Sequence, residues 1–225
     1  MYQHIVYNEF LPVLLGNDIA KSYDLLPLEN DFFHGYDARV YPGLFNELTT
    51  AACRFGHVRV RSEFGKDMFD ERKVNDRLKI EHFIFNTSAI ALSRNASIEH
   101  FLRGSLLESA QPFCPHLNKY LNNHLFENIN DLTSFVNKRE SLSALDIARG
   151  RDHGIPGYDH YRVLCGMKKA KDFEGLKNEI DTSKIDLLKS VYAHVDDVDL
   201  FTGGTSETPV NGGLVGPTFA CKWIF

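Results

Sequence analysis

The sequence predicts a mostly α-helical fold, and three observations carry that prediction. Apolar residues recur at intervals of three and four along several stretches, as a helix with one buried face requires. Capping residues and Gly or Pro breakers fall between those stretches. Nothing alternates with period two over a useful length, so strands have no support.

Taken in order, residues 2–16 carry Ile5, Val6, Phe10, Leu11, Leu14 and Leu15 and predict a short helix broken at Pro12. Residues 17–42 mix Asn, Asp, Pro and aromatics and predict a loop that stops at Pro42-Gly43. A helix over residues 44–60 follows, with Leu44, Leu48, Ala51 and Phe55 on its apolar face. The charged run 62–79 predicts a surface loop, and 77–92 a short buried turn around Phe83, Ile84 and Phe85. Ser97 can cap a helix over 97–110 whose buried face is Ile98, Phe101, Leu102 and Leu106. Further helices are expected at 117–126, after Pro115, and at 131–137, 141–147 and 158–165. Asp172 is an N-cap candidate for 172–180, and 182–191 is amphipathic through Ile185, Leu187, Leu188 and Val191. The Gly- and Pro-rich run 201–217 predicts a loop, and an apolar helix begins at Thr218.

Composition bounds the function. With 43% hydrophobic and 24% charged residues, the 225-residue chain can bury a core, in one sizeable domain or two small ones. The net charge of −5 is spread along the chain, which leaves no basic stripe for nucleic acid. No apolar run reaches the length of a transmembrane segment. The start has neither a charged n-region nor a long apolar core, so no signal peptide is expected. The chain stops inside an apolar helix, which predicts a truncated product of a longer parent. Cys53, Cys114, Cys165 and Cys221 are too far apart for a small zinc site and allow up to two disulfides. Two glycosylation triplets, Asn86-Thr87-Ser88 and Asn95-Ala96-Ser97, tilt toward secretion.

Two polar constellations stand out. Arg54 precedes His57 by three residues, so the two are neighbours on a helix surface, and Ala51, Ala52 and Gly56 thin the chain beside them. An imidazole for a metal next to a guanidinium for a carboxylate suits a haem with its propionates. By spacing alone, such a histidine is more often a surface or satisfied core residue. The second constellation is the run 141–158, where Asp146 and Arg149 can share a helical face. Arg149, Arg151, Asp152 and His153 require partners if they are buried. Spacing favours a structural ion-pair knot before the Gly154-Ile155-Pro156-Gly157 turn.

The stretches AACRFGHVRV (51–60) and SALDIARGRDHGIPGYDHYRVLCGM (143–167) resemble the two signatures of the animal haem peroxidases. QHIVYNEFLPVLLG (3–16) and DVDLFTGGTSETPVNGGLVGPTFAC (197–221) resemble the same family, in the family's order, with arthropod members nearest in wording. The run Arg149-Gly150-Arg151-Asp152-His153-Gly154 is the sharpest piece. The resemblance implies a mostly helical, incomplete haem-peroxidase-type domain over 1–225, the C-terminal, proximal-side portion of the catalytic domain. His57 then matches the proximal ligand of the iron of a b-type haem. Arg54 and Arg149 match arginines that hold the propionates. Asp146 stands where most members carry an asparagine that accepts a hydrogen bond from the proximal imidazole. Cys165 and Cys221 match a structural disulfide pair, while Cys53 and Cys114 match no pairing. Arg151, Asp152 and His153 inherit no catalytic role.

The implied reaction is hydrogen-peroxide-driven oxidation of a small-molecule or phenolic donor, tyrosyl groups included, in a secreted parent protein. The family's distal histidine, distal arginine and calcium loop have no counterpart here. The chain alone is therefore expected to be inactive, with the missing N-terminal part of the same domain as its partner and calcium bound there. The rival readings are a non-enzymatic, peroxinectin-like, matrix-binding fragment and a helical scaffold without cofactor.

Overall fold

Helices dominate the fold among the described residues, as the apolar spacing predicts. The computed structural model describes residues 2–27, 31, 33–67, 72–84, 88, 98–127 and 139–224. The chain divides into two compact units. One comprises Met1–Phe55, Phe113–Pro115 and Asp146–Phe225; the other comprises Gly56–Pro112 and His116–Leu145.

In the first unit, Tyr2–Ile5, Val6–Phe10 and Leu11–Leu15 follow one another without interruption, so the predicted break at Pro12 does not occur. Proline lacks an N–H and its ring crowds the carbonyl four residues back. The five residues before Leu11 widen into a π-helical turn, which relaxes that crowding. The rod ends at Gly16, whose φ of +78° is open to glycine. A Cβ there would lie 2.3 Å from the Asn211 carbonyl oxygen, and Leu214 N–H donates to Leu14 O at 2.9 Å. Asn17–Ser22 is helical where a loop was predicted. Burial of Ala20 and the Leu25 N–H bond to its carbonyl override the weak helix propensity of Asn17 and Asp18.

The helix predicted over 44–60 is two pieces, an α-helix at Asn46–Thr50 and a 3-10 helix at Ala52–Arg59. Ala51, at φ −129° and ψ −61°, separates them. Leu48, Ala51 and Phe55 are buried as predicted, but Leu44 precedes the helix and is 68% exposed.

Beyond Asp146, Tyr158–Leu164 and Thr182–Val191 form as expected, although Leu187 and Val191 stay exposed. Asp172 does cap its helix, the 3-10 turn Phe173–Leu176, by accepting from Gly175 N–H at 3.0 Å. The predicted 201–217 loop is overturned in its first third by the helix Leu200–Ser206. Its glycines serve close packing. A Cβ on Gly203 would lie 2.2 Å from the Tyr158 ring, and one on Gly204 would lie 2.2 Å from the Phe219 ring. The last helix, Pro217–Ile224, is tied to the end of Tyr158–Leu164 by a Cys165–Cys221 disulfide with a Cα–Cα distance of 6.0 Å. No helix among the described residues is long and apolar enough to cross a membrane.

In the second unit, the charged run predicted as a loop contains two antiparallel strands, Glu63–Lys66 and Asp76–Lys79. Lys66 faces Asp76 and pairs with it at 2.6 Å, so the charges that suggested a solvated loop hold the ladder together. The helix Ile98–Leu107 packs on the first strand, and a Cβ on Gly104 would lie 2.0 Å from Gly65 O. That contact selects the face of Phe101, Gly104 and Glu108, at i, i+3 and i+7. Glu108 accepts from Gly65 N–H at 3.1 Å, and Phe101 stacks on Phe64 at 5.4 Å. Ile98, Leu102 and Leu106, predicted as the buried face, are consequently exposed. Ile80 opens a 3-10 turn and forms a core with Tyr120, Leu121 and Leu125, with Phe64, Phe83 and Ile84 packed against it. Lys119–Asn123 is shorter than predicted and is capped by Asn118, which accepts from Leu121 N–H at 3.0 Å. The predicted helix 131–137, the Ser97 cap, Asn86 and Asn95 lie outside the described residues.

Candidate functional site

The 3-10 helix Ala52–Arg59 sets the geometry around His57. With three residues per turn, Arg54 and His57 share one edge of it. Both are half-buried. Arg54 Nε donates to the Thr49 carbonyl at 3.0 Å, and among the described residues its two terminal nitrogens carry no hydrogen bond. A Cβ on Gly56 would meet nothing within 4 Å, so the edge beside His57 is open. The start of the element is held by aromatic packing: Trp223 lies edge-on to Phe55 at 6.1 Å and to Phe10 at 5.8 Å. Burial raises the Cys53 thiol pKa above its usual value, with Arg54 opposing, which suits an inert packing residue.

Asp146 and Arg149 sit on the helix Leu142–Asp152. Asp146 is fully buried, and its Oδ1 accepts from Arg149 Nη1 at 2.7 Å, the local pairing that their spacing allows. Arg149 is half-buried, and among the described residues its other guanidinium nitrogens carry no hydrogen bond. Asp146 also lines a cavity of about 10 Å³, with Ala51, Gly150, Leu200 and Phe201, roughly the room one water needs.

The rest of the 149–154 run forms a structural network. Arg151 makes a two-pronged bond to Asp199, Nε to Oδ1 at 2.9 Å and Nη2 to Oδ2 at 2.7 Å, and this raises the Arg151 pKa. Tyr192 OH donates to the same carboxylate at 2.9 Å. His153 Nδ1 meets Asn46 Oδ1 at 2.9 Å, which ties the end of this helix to the start of Asn46–Thr50.

Two buried polar groups escaped sequence reasoning. Glu207 accepts from Tyr158 OH at 2.7 Å, Thr218 Oγ1 at 2.6 Å and Thr218 N–H at 2.9 Å. Burial nevertheless pushes its carboxyl up to about 7, against those bonds. Arg162, 1% exposed, donates to Asp159 and to Glu179, both at 2.6 Å. The Asp159–Arg162 spacing of i, i+3 was a readable signal for the second group. Glu207 lay in a presumed loop and gave none.

The model of the family described as animal haem peroxidase matches residues 1–224. The chain belongs to the animal haem peroxidase family. Among its relatives, the animal haem peroxidase named peroxidasin in Drosophila melanogaster is 32% identical over 231 residues, covering 99% of this chain and 14% of its own length. Chorion peroxidase of the same organism is 34% identical over 218 residues, covering 97% of this chain and 25% of its own. The solved structure of peroxidase A from Dictyostelium discoideum superposes with a TM-score of 0.78 at 29% identity, covering 99% of this chain and 39% of that one. The chain thus spans a quarter or less of the length of those two curated relatives. The family's description names haem as its cofactor. Among the described residues, no cluster of three or more His, Cys, Asp or Glu side chains is arranged to hold a metal ion. A haem iron needs one axial side chain, so that finding does not bear on it.

Proposed function

We propose that this chain supplies the proximal side of a haem peroxidase site, in which hydrogen peroxide drives the oxidation of a small donor or of phenolic or tyrosyl groups. A b-type haem, when bound, supplies the iron that reacts with peroxide. The side chains of this chain hold and tune it. His57 would hold the iron through one imidazole nitrogen. Arg54 and Arg149 hold propionates through charge-assisted hydrogen bonds. Asp146 would accept the second ring N–H of His57, fixing the tautomer and raising the basicity of the ligand.

The observation that carries the reading is Arg54: a half-buried guanidinium whose two terminal nitrogens are uncommitted among the described residues, on the same edge as His57 and beside the open face of Gly56. A half-buried cation without an anion is unfavourable, and a propionate satisfies it. Arg149 is half committed to Asp146, and its remaining nitrogens can serve a second carboxylate. The Cys165–Cys221 disulfide supports an oxidising, extracellular setting for the parent protein. No residue here matches the family's distal histidine or arginine, so the proposal assigns peroxide proton transfer and calcium to the N-terminal part of the domain, and no turnover to this chain alone.

Haemin titration of the purified chain and its His57→Ala variant tests the reading. The unsubstituted chain should give a histidine-ligated ferric haem spectrum, and the variant should lose that signature and bind at least tenfold more weakly, the order seen for lost ligand-shell groups. Identical spectra and affinities for the two proteins would remove His57 from the site.

A further inference from the structure

A second site is carried by the segment between the helix Tyr158–Leu164 and the helix Thr182–Val191. Here the chain folds around a cleft of about 460 Å³. Its lining holds five cationic side chains, Arg162, Lys168, Lys169, Lys171 and Lys177, against three carboxylates. The carboxylates are all engaged. Glu179 is held by Arg162 at 2.6 Å, Glu174 takes Lys177 at 2.5 Å together with Lys189, and Asp172 caps Gly175 N–H. Arg162 and Lys177 are engaged too, but the other cations are not. Lys168 and Lys171 are exposed and carry no ion pair among the described residues, and Lys169 reaches Asp196 only at 3.8 Å. In a chain of net charge −5, a cleft with surplus cations runs against the overall field and selects anions locally.

Arg162 adds an independent observation. Its Nε–H is buried and has no acceptor among the described residues, although the other guanidinium nitrogens are bonded. A buried donor left without an acceptor is costly, and an anionic oxygen or a water it holds would relieve it. The character of the walls narrows the ligand further. Among the described residues, Met167 is the cleft's one apolar side chain and no aromatic ring lines it. A nucleobase or lipid tail has nothing there to stack or bury against. A hydroxyl-rich body has Asn178 and the carboxylates to bond.

We propose that this cleft is a binding site for a saccharide bearing sulfate or phosphate groups, with Lys168 and Lys171 as its primary anion contacts. The site is separate from the residues assigned to haem and does not depend on haem being bound.

Calorimetric titration of the chain with a sulfated disaccharide tests the proposal, using its desulfated counterpart, a sugar phosphate, inorganic sulfate and AMP as parallel probes. The sulfated or the phosphorylated sugar should bind, and comparing those two arms tells which group the site favours. Binding should weaken as salt is raised from ~20 mM to ~300 mM. The exposed Lys168→Ala/Lys171→Ala pair should lower affinity by roughly tenfold or more while leaving the thermal melt unchanged. Lys21→Ala, a cation outside the cleft, serves as control and should leave binding intact. Three results would overturn the site: equal affinity for the desulfated sugar, AMP binding more tightly than either charged sugar, or the Lys21 variant losing as much as the double variant. Absence of measurable binding of both charged sugars at millimolar concentration would overturn it as well.

Discussion

Glu207→Gln should abolish a pH-dependence of stability that the first unit carries. The Glu207 carboxyl is fully buried, and its pKa rises from 4.5 to about 7, first through burial and further through the nearby Glu179 carboxylate. In the unfolded chain it ionises near its ordinary value. Between those two values the native state binds the proton and the unfolded state does not, so stability is greatest below about 4.5 and falls as pH rises toward 7. Above that it levels off, because both states are then ionised. A difference of about 2.5 units at 1.36 kcal/mol each amounts to about 3 kcal/mol. Glutamine keeps the shape and can accept from Tyr158 OH and Thr218 Oγ1, but its amide nitrogen faces the Thr218 N–H that Glu207 Oε2 accepts. The variant should therefore be less stable than the parent at pH 5, and the gap should shrink by about 2.5 kcal/mol by pH 8. Urea denaturation followed by helical circular dichroism at half-unit steps reads this directly. Histidines and all other titrating groups are common to both proteins and cancel in the difference. Parallel stability profiles from pH 5 to pH 8 would refute the reasoning.

Replacing Cys165 and Cys221 by serine opens a closure spanning 56 positions and should cost about 4 kcal/mol in the chain-entropy account, measurable as a lowered urea midpoint that reductant no longer shifts. Gly204→Ala forces its new methyl group against the Phe219 ring, so it should destabilise by about 1–3 kcal/mol; an unchanged melting temperature would mean that the ring yields freely. Asp146→Asn exchanges a charged acceptor for a neutral one at the position proposed to face the His57 ring proton. The ferric/ferrous midpoint potential of the haem-loaded protein should rise in the variant, and an equal or lower potential at full loading would place Asp146 elsewhere.

Side-chain period located several helices, although it misplaced the buried face of Ile98–Leu107. Thr182–Val191 formed within its predicted bounds because four apolar residues at helical spacing left one arrangement open, even though Leu187 and Val191 did not stay buried. The misses share a cause: a residue type read for its average behaviour was used for a specific contact. Gly203 and Gly204 suggested a loop, yet each is the only residue small enough to sit against an aromatic ring inside a helix. Charges in 62–79 suggested solvent, yet Lys66 and Asp76 face one another across a strand pair. Pro12 suggested a break, yet a π-turn absorbs it. In each case the deciding partner lies at a sequence distance that no local window reaches, or in a backbone variant that composition does not encode.

The site divides along the same line, and the division bears on function. Arg54 with His57, and Asp146 with Arg149, are i, i+3 relationships, so their juxtaposition follows from helix geometry once the helix forms. Arg151 has no such partner nearby. It reaches Asp199, 48 positions on, and that carboxylate also takes the Tyr192 hydroxyl. The family resemblance already set Arg149 apart from Arg151, and the fold adds the partner that Arg151 takes. Arg151 has both carboxylate oxygens of a partner and gains nothing from a further anion. Arg149 shares a single hydrogen bond with Asp146 and keeps donors in reserve. An exposed cation already held in a two-pronged carboxylate pair is a structural tie, whereas one with donors left over in a half-buried position is suited to a ligand carboxylate. By that criterion Arg54 and Arg149 are the pair suited to hold two propionates, and Arg151 is not. Substituting Arg151 should consequently loosen the helix ends and leave haem affinity intact, the opposite of what substituting Arg54 should do.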